Sequence, residues 1–239
     1  MMRVKISFII MMCCVFLCAC GTSEKTSENV SSENQMQLEY AEQFSVYYLD
    51  DGCCEVDIAD GQKFVIVPEN VTAPQTDSDV TVIQQPVRNL YVSASSSMDL
   101  FDGIGVLDEV KMTSTKLSDW SLPSVRDALE NGRMTYVGKY STPDNETVIS
   151  ENCGLALEST MIYHSPETKE QLESLGIPVM AERSSYESHP LGRLEWIKLY
   201  GLIMGREKEA EELFNEKMKI FGEVSADTDI PENERKTVA

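Results

Sequence analysis

The sequence predicts an α/β protein built on a parallel five-stranded sheet with flanking helices, preceded by a small antiparallel β segment and followed by a long helix. Two observations carry this prediction. From residue 87 onward, short apolar runs alternate with segments of helical spacing, several of which begin at a proline. Between residues 38 and 67, aromatic and β-branched runs are separated by Asp-Gly pairs, which are a strong signal for hairpins.

The chain begins with a segment typical of an exported lipoprotein. Two basic residues precede an apolar run over residues 6–17, which is too short to span a bilayer and indicates a signal peptide over residues 1–19. The run ends in LCAC, which matches a bacterial lipoprotein box, so Cys20 is the predicted lipidation site. An ordinary signal peptide cleaved near Ala19 is the alternative. A Gly/Ser/Thr/Glu-rich stretch over residues 20–37 is predicted to be a flexible tether.

Charge and cysteine usage narrow the range of partners. The formal net charge of -20 argues against nucleic acid as a partner, because polyanions repel one another. Outside the signal peptide and the lipidation site, three cysteines remain, namely Cys53, Cys54 and Cys153. Their odd number and the absence of C-x-x-C spacing argue against a disulfide framework and a cysteine metal site, and their redox state stays open. No cofactor is expected.

The β-rich segment and its linker occupy residues 38–86. Three short runs form the predicted meander: Phe44–Leu49, Cys54–Ala59 and Phe64–Val67. Residues 68–86 hold three prolines and many polar groups, which predicts a linker with a strand at Val80–Ile83. The segment could serve as a spacer or add an edge to the main sheet.

Residues 87–205 supply the five strands and the helices between them. The predicted strands are Asn89–Val92, Val110–Thr113, Met134–Val137, Leu155–Leu157 and Ile177–Met180. The predicted helices are Met98–Ile104, Leu122–Glu130, Pro143–Ser150 with an acidic first turn, a helix that starts at Pro166 and is capped by Ser165, and Pro190–Met204. Strands joined by helical crossovers run parallel, and such sheets bind ligands in the loops at the carboxyl ends of the strands.

A last helix is predicted over Glu207–Val224. Its apolar residues recur at three- and four-residue spacing and include Ala210, Leu213, Phe214, Met218 and Phe221. At 1.5 Å per residue the helix would be roughly 27 Å long. The polar residues after it end in a run that is typical of the start of a strand.

Two stretches carry a family resemblance. Residues 165–179 (SPETKEQLESLGIPV), a polar loop, and residues 192–214 (GRLEWIKLYGLIMGREKEAEELF) resemble the end of the N-lobe and the inter-lobe helix of substrate-binding lipoproteins of ABC importers for ferric siderophores, haem and cobalamin. This is the helical-backbone group of periplasmic-binding-protein-like proteins. The resemblance covers roughly residues 87–239 and rests on the order of several motifs. It implies an N-terminal lobe over residues 87–205, an inter-lobe helix over 206–225 and the start of a second lobe over 226–239, so the chain is expected to be truncated.

The resemblance also implies a function and a location. It describes an extracytoplasmic solute-binding protein, anchored by lipid to the bacterial cell membrane, which works as a monomer and delivers a metal chelate to an ABC permease. In such proteins a glutamate on the outer surface of each lobe pairs with the permease, which places this role at Glu167, with Glu170 as the alternative. An acidic residue in a first helical turn also stabilises the helix dipole, and this explains Glu167 without any partner.

Planar, cationic and hydroxyl-bearing side chains follow the predicted strands. They suit chelated iron, haem and corrinoids, which present large, partly aromatic and often anionic surfaces. The predicted ligand-binding residues are Ser95, Ser96, Tyr140, Met161, Tyr163, Arg183 and Tyr186. Arg183 is the leading candidate, because a cation at the rim of an acidic protein would concentrate positive potential there. The serine-rich corner would also serve as a helix N-cap, and the tyrosines could instead pack under their loops.

Other functions find less support in the sequence. His164 and His189 fall in loops, but two histidines are too few for a metal site, so both are expected to be polar loop residues. No G-x-S-x-G elbow or Gly-rich phosphate loop follows a strand, so an enzyme is not expected, although an α/β enzyme is kept as an alternative. A second alternative is a cell-surface interaction module, marked by an exposed apolar patch on residues 38–67.

Overall fold

The structure is a computed structural model that describes residues 34–227, with side chains described as far as residue 225. The strands are β1 (Phe44–Tyr48), β2 (Cys54–Ile58), β3 (Lys63–Val67), β4 (Val80–Gln84), β5 (Leu90–Val92), β6 (Val110–Thr113), β7 (Thr135–Tyr136), β8 (Gly138–Lys139), β9 (Thr142–Pro143), β10 (Ala156–Ser159) and β11 (Val179–Glu182). The helices are α1 (Met98–Gly103), α2 (Pro123–Glu130), α3 (Asn145–Ser150), α4 (Pro166–Ser174), α5 (Pro190–Met204) and α6 (Glu207–Asp227). The predicted signal peptide, Cys20 and the segment after residue 227 lie outside the described residues.

Five parallel strands form the main sheet, in the order β11-β10-β5-β6-β7. The predicted fold class is therefore confirmed. Both faces of the sheet are covered: α2, α5 and α6 contribute residues such as Trp196 and Phe214 to one hydrophobic cluster, and α3 and α4 contribute Val148 and Leu172 to another. A sheet covered on both faces exposes its strand ends, and the carboxyl ends are where ligands of such sheets bind.

The small sheet has the order β1-β2-β3-β4. β1, β2 and β3 form the predicted antiparallel meander, and β4 pairs parallel to β3, which confirms the strand predicted in the linker. Phe44 of β1 contacts Trp196 of α5 edge-on, with ring centroids 5.0 Å apart, and both residues belong to the larger hydrophobic cluster. Gln35 pairs with Tyr47, so the last residues of the predicted tether lie against β1.

Two predicted strand boundaries are wrong for the same reason. The fifth strand begins at Val179 and not at Ile177, because the N–H of Ile177 still donates to the carbonyl of Leu172 (3.2 Å) at the end of α4. The third strand lacks Met134, whose N–H donates to the carbonyl of Ala128 (3.1 Å) at the end of α2. In both cases helix-terminal hydrogen bonds extend into an apolar run that the pattern assigns to a strand.

Helix α3 starts two residues later than predicted. Pro143 pairs with Gly138 in the short β8–β9 hairpin, which the sequence did not predict. Asp144 is consequently the N-cap residue and not part of the first turn, and its Oδ1 accepts a hydrogen bond from the N–H of Thr147 (3.3 Å).

The predicted side-chain cap at Ser165 is also wrong. Ser165 precedes α4, but its side chain makes no capping hydrogen bond; its carbonyl instead accepts from the N–H of Thr168 (3.0 Å). Helix α5 has the predicted bounds, and α6 is the predicted long helix. Phe214 and Phe221 were both predicted on the apolar face of α6; Phe214 is fully buried, whereas Phe221 is 41% exposed.

Candidate functional site

The loops that follow β5, β6, β10 and β11 share one edge of the main sheet, because parallel strands end on the same side. We call this edge the strand-exit face, and it comprises residues 93–97, 114–116, 160–164 and 183–186. Six of the predicted ligand-binding residues lie on it: Ser95, Ser96, Met161, Tyr163, Arg183 and Tyr186.

Serine hydroxyls join neighbouring strand exits. Ser95 and Ser96 are exposed in a 3-10 turn after β5. The Oγ of Ser96 donates to Oε1 of Glu182 (3.1 Å), which links the exit of β5 to the end of β11. The Oγ of Ser114, after β6, donates to the Oγ of Ser93 (3.0 Å). The serine-rich corner therefore offers hydroxyl groups at the face, whereas neither its 3-10 turn nor α1 has a side-chain capping hydrogen bond.

Arg183 is held by three partners. Its guanidinium carbon lies 4.2 Å from the ring centroid of Tyr186, a cation–π arrangement. Its Nε donates to Oε1 of Gln43 (3.1 Å), and Nη1 lies 3.5 Å from Oδ2 of Asp60. The side chain is only 18% exposed. The expectation that Arg183 concentrates positive potential at the rim therefore needs correction, because a carboxylate from the small sheet opposes its charge.

Asp60 was not among the predicted site residues. It lies in the turn between β2 and β3, and its Oδ2 accepts a hydrogen bond from the hydroxyl of Tyr163 (2.6 Å). Burial favours the neutral acid, but hydrogen bonds from Tyr163 and Gln62 and the charge of Arg183 outweigh it and lower the pKa of Asp60 below its ordinary value. Burial and the Asp60 carboxylate raise the pKa of Tyr163 well above its ordinary value. Asp60 therefore stays ionised and Tyr163 stays a hydrogen-bond donor.

The side chain of Gln62 fixes this turn to the main sheet. Its Nε2 donates to the carbonyl of Ala181 (2.9 Å), and its Oε1 accepts from the N–H of Ala181 (2.9 Å). The amide thereby satisfies both backbone groups at the outer edge of β11, as a neighbouring strand would. The same Nε2 also donates to Oδ1 of Asp60 (3.0 Å), so the turn and its carboxylate have a defined position.

Glu158 is a buried acid beneath the strand-exit face. It lies on β10 beside Ala181 and has no exposed surface. Within the described residues, neither carboxyl oxygen has a hydrogen bond of acceptable geometry, and the hydroxyl of Tyr91 has none either. Burial raises the pKa of Glu158 to about 7, and the nearby hydroxyls of Ser93 and Tyr91 partly oppose this rise.

The remaining predicted residues lie apart from this cluster. Tyr140 is half-buried in the turn of the β8–β9 hairpin, and in residues 34–225 no hydrogen bond or ring contact joins it to the strand-exit face. Glu167 and Glu170 are both exposed on α4. His164 is exposed, whereas Nδ1 of His189 accepts a hydrogen bond from the N–H of Leu191 (3.1 Å) and so caps α5.

The described part of the chain has neither a metal-binding cluster nor a disulfide. Residues 34–227 contain no group of three or more His, Cys, Asp or Glu side chains placed to hold a metal ion. Cys53, Cys54 and Cys153 are free thiols. Burial raises the pKa of Cys54 to about 12 and that of Cys153 to about 11. Within the same part of the chain, no helix has both the length and the apolar composition needed to cross a bilayer.

The chain is similar to parts of two longer proteins. No protein-family model matches it. Two uncharacterized lipoproteins of Methanocaldococcus jannaschii are each 26% identical to it, one over 211 residues (81% of this chain and 52% of that protein) and the other over 166 residues (65% and 40%). The chain thus spans about half or less of the length of these curated relatives.

One solved structure supports the fold. A possible iron-binding, periplasmic solute-binding protein from Staphylococcus epidermidis superposes with a TM-score of 0.50 at 17% identity, and the match covers 64% of this chain and 55% of that one. This likeness concerns the fold. The described residues share the fold of part of that protein, and this agrees with the fold class that the sequence predicted.

Proposed function

We propose that this chain is the N-terminal lobe of an extracytoplasmic solute-binding lipoprotein that delivers a metal chelate to the permease of an ABC transporter. The chelate is a ferric siderophore, haem or a cobalamin. One observation carries the proposal: side chains from three strand exits are linked at one face. Ser96 after β5 bonds Glu182 at the end of β11, and Tyr163 after β10 shares Asp60 with Arg183, which stacks on Tyr186 after β11.

The chemistry of this cluster suits a large chelate. Met161, Tyr163 and Tyr186 are 48%, 42% and 54% exposed, so a soft thioether and two aromatic rings face solvent beside serine hydroxyls. Aromatic rings bind flat, partly aromatic surfaces, and the hydroxyl groups can meet chelate oxygens. An open face of this kind serves as one wall of a two-sided site, because binding pockets bury most of a ligand between opposing surfaces.

The lipid anchor rests on sequence. The LCAC box places the acylated residue at Cys20, and the two archaeal relatives carry the name lipoprotein. An anchor at Cys20 would hold the lobe at the outer surface of the cytoplasmic membrane, next to its permease. Mass spectrometry of membrane fractions tests this point: a Cys20→Ala protein should appear in the soluble fraction without lipid.

The permease contact is assigned to Glu167 on α4. Its side chain is exposed, as a docking residue must be. Reversal of its charge by Glu167→Arg should lower uptake of labelled chelate by cells without changing chelate affinity. The matched control is Glu216→Arg on α6, which is also exposed but lies on another element. Equal uptake by the two variants would remove Glu167 from this role.

The binding proposal is tested by tryptophan fluorescence. The indole Nε1 of Trp120 donates to the carbonyl of Thr115 (3.1 Å) in the loop after β6, so Trp120 reports on the strand-exit face. The chain from Gly21, and a version extended by any coding sequence after Ala239, are titrated with ferric siderophores, haem and cobalamin. We expect Arg183→Ala to weaken binding by about tenfold or more, because it removes the side chain that holds the Tyr186 ring and the Asp60 carboxylate in place.

The control for this titration is Arg88→Ala. Arg88 pairs with Glu109 (2.7 Å) ahead of β5, at the opposite end of the strands, so its loss should leave affinity unchanged. If neither form of the chain responds to any chelate, the solute class is wrong. The interaction module then becomes the better hypothesis. It would have little exposed apolar surface, because among the large apolar residues of segment 38–67 only Tyr48 reaches 36% exposure.

A further inference from the structure

The small sheet contributes a charged side chain to the strand-exit face. Asp60 comes from the β2–β3 turn, yet its Oδ2 contacts Tyr163 after β10 and Arg183 after β11. The Asp60 side chain is 15% exposed, so a solute that touches Tyr163 or Tyr186 would also lie close to this carboxylate. The small sheet is therefore part of the candidate site and not only a spacer in front of it.

Acidic side chains accompany the one basic side chain at the exit of β11, Arg183. The Arg183 guanidinium meets Asp60, and Glu182 lies next to it in the chain with 2% exposure. Oε1 of Glu182 accepts from the hydroxyl of Ser96, and its Oε2 accepts from the N–H of Ser184 (2.7 Å). Two carboxyl groups thus lie beside one guanidinium, so an approaching solute does not meet an isolated cation there.

We propose that Asp60 is a selectivity residue, which makes the strand-exit face bind neutral or cationic metal chelates and discriminate against polyanionic ones. The inference rests on the proposed function, because it concerns the same site and names the class of chelate that the site takes.

Competition for the guanidinium is the physical reason. An anionic ligand group that binds the Arg183 guanidinium comes close to the Asp60 carboxylate, which lies 3.5 Å from Nη1, or must displace it. Proximity places like charges side by side, which is unfavourable, and displacement breaks the hydrogen bonds that Asp60 accepts from Tyr163 and Gln62. A neutral or cationic chelate instead contacts the Tyr163 and Tyr186 rings and leaves the ion pair intact.

The test uses gallium(III) chelates, which are diamagnetic substitutes for the ferric complexes. The chain from Gly21, which retains every described residue, is titrated with a monocationic trishydroxamate, a neutral trishydroxamate and a trianionic tricatecholate complex. Backbone amide resonances of residues 93–97 and 183–186 report binding. We expect wild type to bind the first two at least about tenfold more tightly than the trianion, and Asp60→Asn to remove this preference.

The matched control is Asp57→Asn. Asp57 is exposed on β2, so this variant has the same change in net charge away from the site, and its preference should equal that of wild type. Arg183→Gln acts in the opposite direction and should widen the preference for the cationic chelate. It also keeps the proposal testable if Asp60→Asn fails to fold.

The outcomes distinguish a failure of the role proposed for Asp60 from a failure of the proposed solute-binding function. Binding of the trianion as tightly as the cation, or an equal effect of Asp60→Asn and Asp57→Asn, overturns the role of Asp60 while the solute-binding proposal stands. If no chelate of any charge moves these resonances, the proposed function fails, and the inference fails with it.

Discussion

Oε2 of Glu195 lies 2.8 Å from the backbone nitrogen of Tyr40 and accepts its hydrogen bond. The same carboxylate accepts from the N–H groups of Glu39 and Ala41 (both 2.9 Å) and pairs with Nζ of Lys198 (3.0 Å). Glu195 has no exposed surface. A single buried acid on α5 therefore fixes the segment that leads into the small sheet.

We expect Glu195→Ala to be strongly destabilising. The substitution removes the acceptor of three backbone N–H groups and leaves the Lys198 charge, whose side chain is 8% exposed, without its nearest partner. Breaking a buried pair of this kind costs about 3 kcal/mol or more in the free energy of unfolding. Urea unfolding followed by tryptophan fluorescence measures this quantity.

The control for this experiment is Glu212→Ala. Glu212 is exposed on α6 and lies 3.7 Å from Lys208, an exposed pair whose loss should change stability by less than about 0.5 kcal/mol. Equal unfolding midpoints for the two variants would contradict the role of Glu195.

The attachment of the β2–β3 turn to β11 gives a local prediction. Gln62→Ala leaves the N–H and C=O of Ala181 without their side-chain partner, which should cost about 1–2 kcal/mol. Hydrogen exchange at the Ala181 amide should accelerate accordingly. Gln75→Ala, an exposed residue of the linker, should change neither quantity. Unchanged exchange at Ala181 would show that the amide pair is not formed in solution.

The sequence predicted those parts of the fold that depend on local patterns. The α5 bounds match because a proline starts the helix and Gly205, with a φ of 64°, ends it. The short β8–β9 hairpin was missed, since two-residue strands carry no periodic pattern. The contacts of Glu195 with Tyr40 and of Gln62 with Ala181 join residues 155 and 119 positions apart, and no spacing rule encodes such pairs.

The sequence predicted the candidate site only as far as general rules of sheet topology reach. The rule that parallel strands end at one edge placed Tyr163, Arg183 and Tyr186 together correctly. The rule could not supply Asp60, because Asp-Gly at a hairpin indicates a turn whether or not its carboxylate reaches a distant loop. The missing residue changes the electrostatic interpretation, since it opposes the one cation on which the prediction depended.

Glu158 makes stability depend on pH. Burial raises the pKa of its carboxyl from 4.5 to about 7, so the folded protein binds this proton more tightly than the unfolded chain does. The contribution of Glu158 to stability is therefore fully present below the unfolded pKa and is lost as pH rises through the folded one. When the pH is raised from about 5 to about 8, we expect the free energy of unfolding of Glu158→Gln to rise by about 2–3 kcal/mol relative to that of wild type.

Urea unfolding of both proteins at the two pH values makes this comparison. The contributions of the other titrating groups are the same in both proteins and cancel in the difference. Glu170→Gln, an exposed position on α4, should shift stability equally at both. A difference between Glu158→Gln and wild type that stays constant with pH would show that the carboxyl titrates normally in the folded state.

The contact between α5 and α6 depends on a glycine. A Cβ added at Gly201 would lie 2.5 Å from the Cβ of Ala210 and 2.9 Å from the carbonyl oxygen of Arg206, whereas one added at Gly222 meets nothing within 4 Å. Gly201→Ala must separate the helices and should cost about 1–3 kcal/mol. Gly222→Ala should instead stabilise α6 by up to about 1 kcal/mol through its helix propensity. Because both variants add the same methyl group, a thermal unfolding midpoint that rises in both would show that α5 and α6 do not pack this closely, and the position of the long helix would need revision.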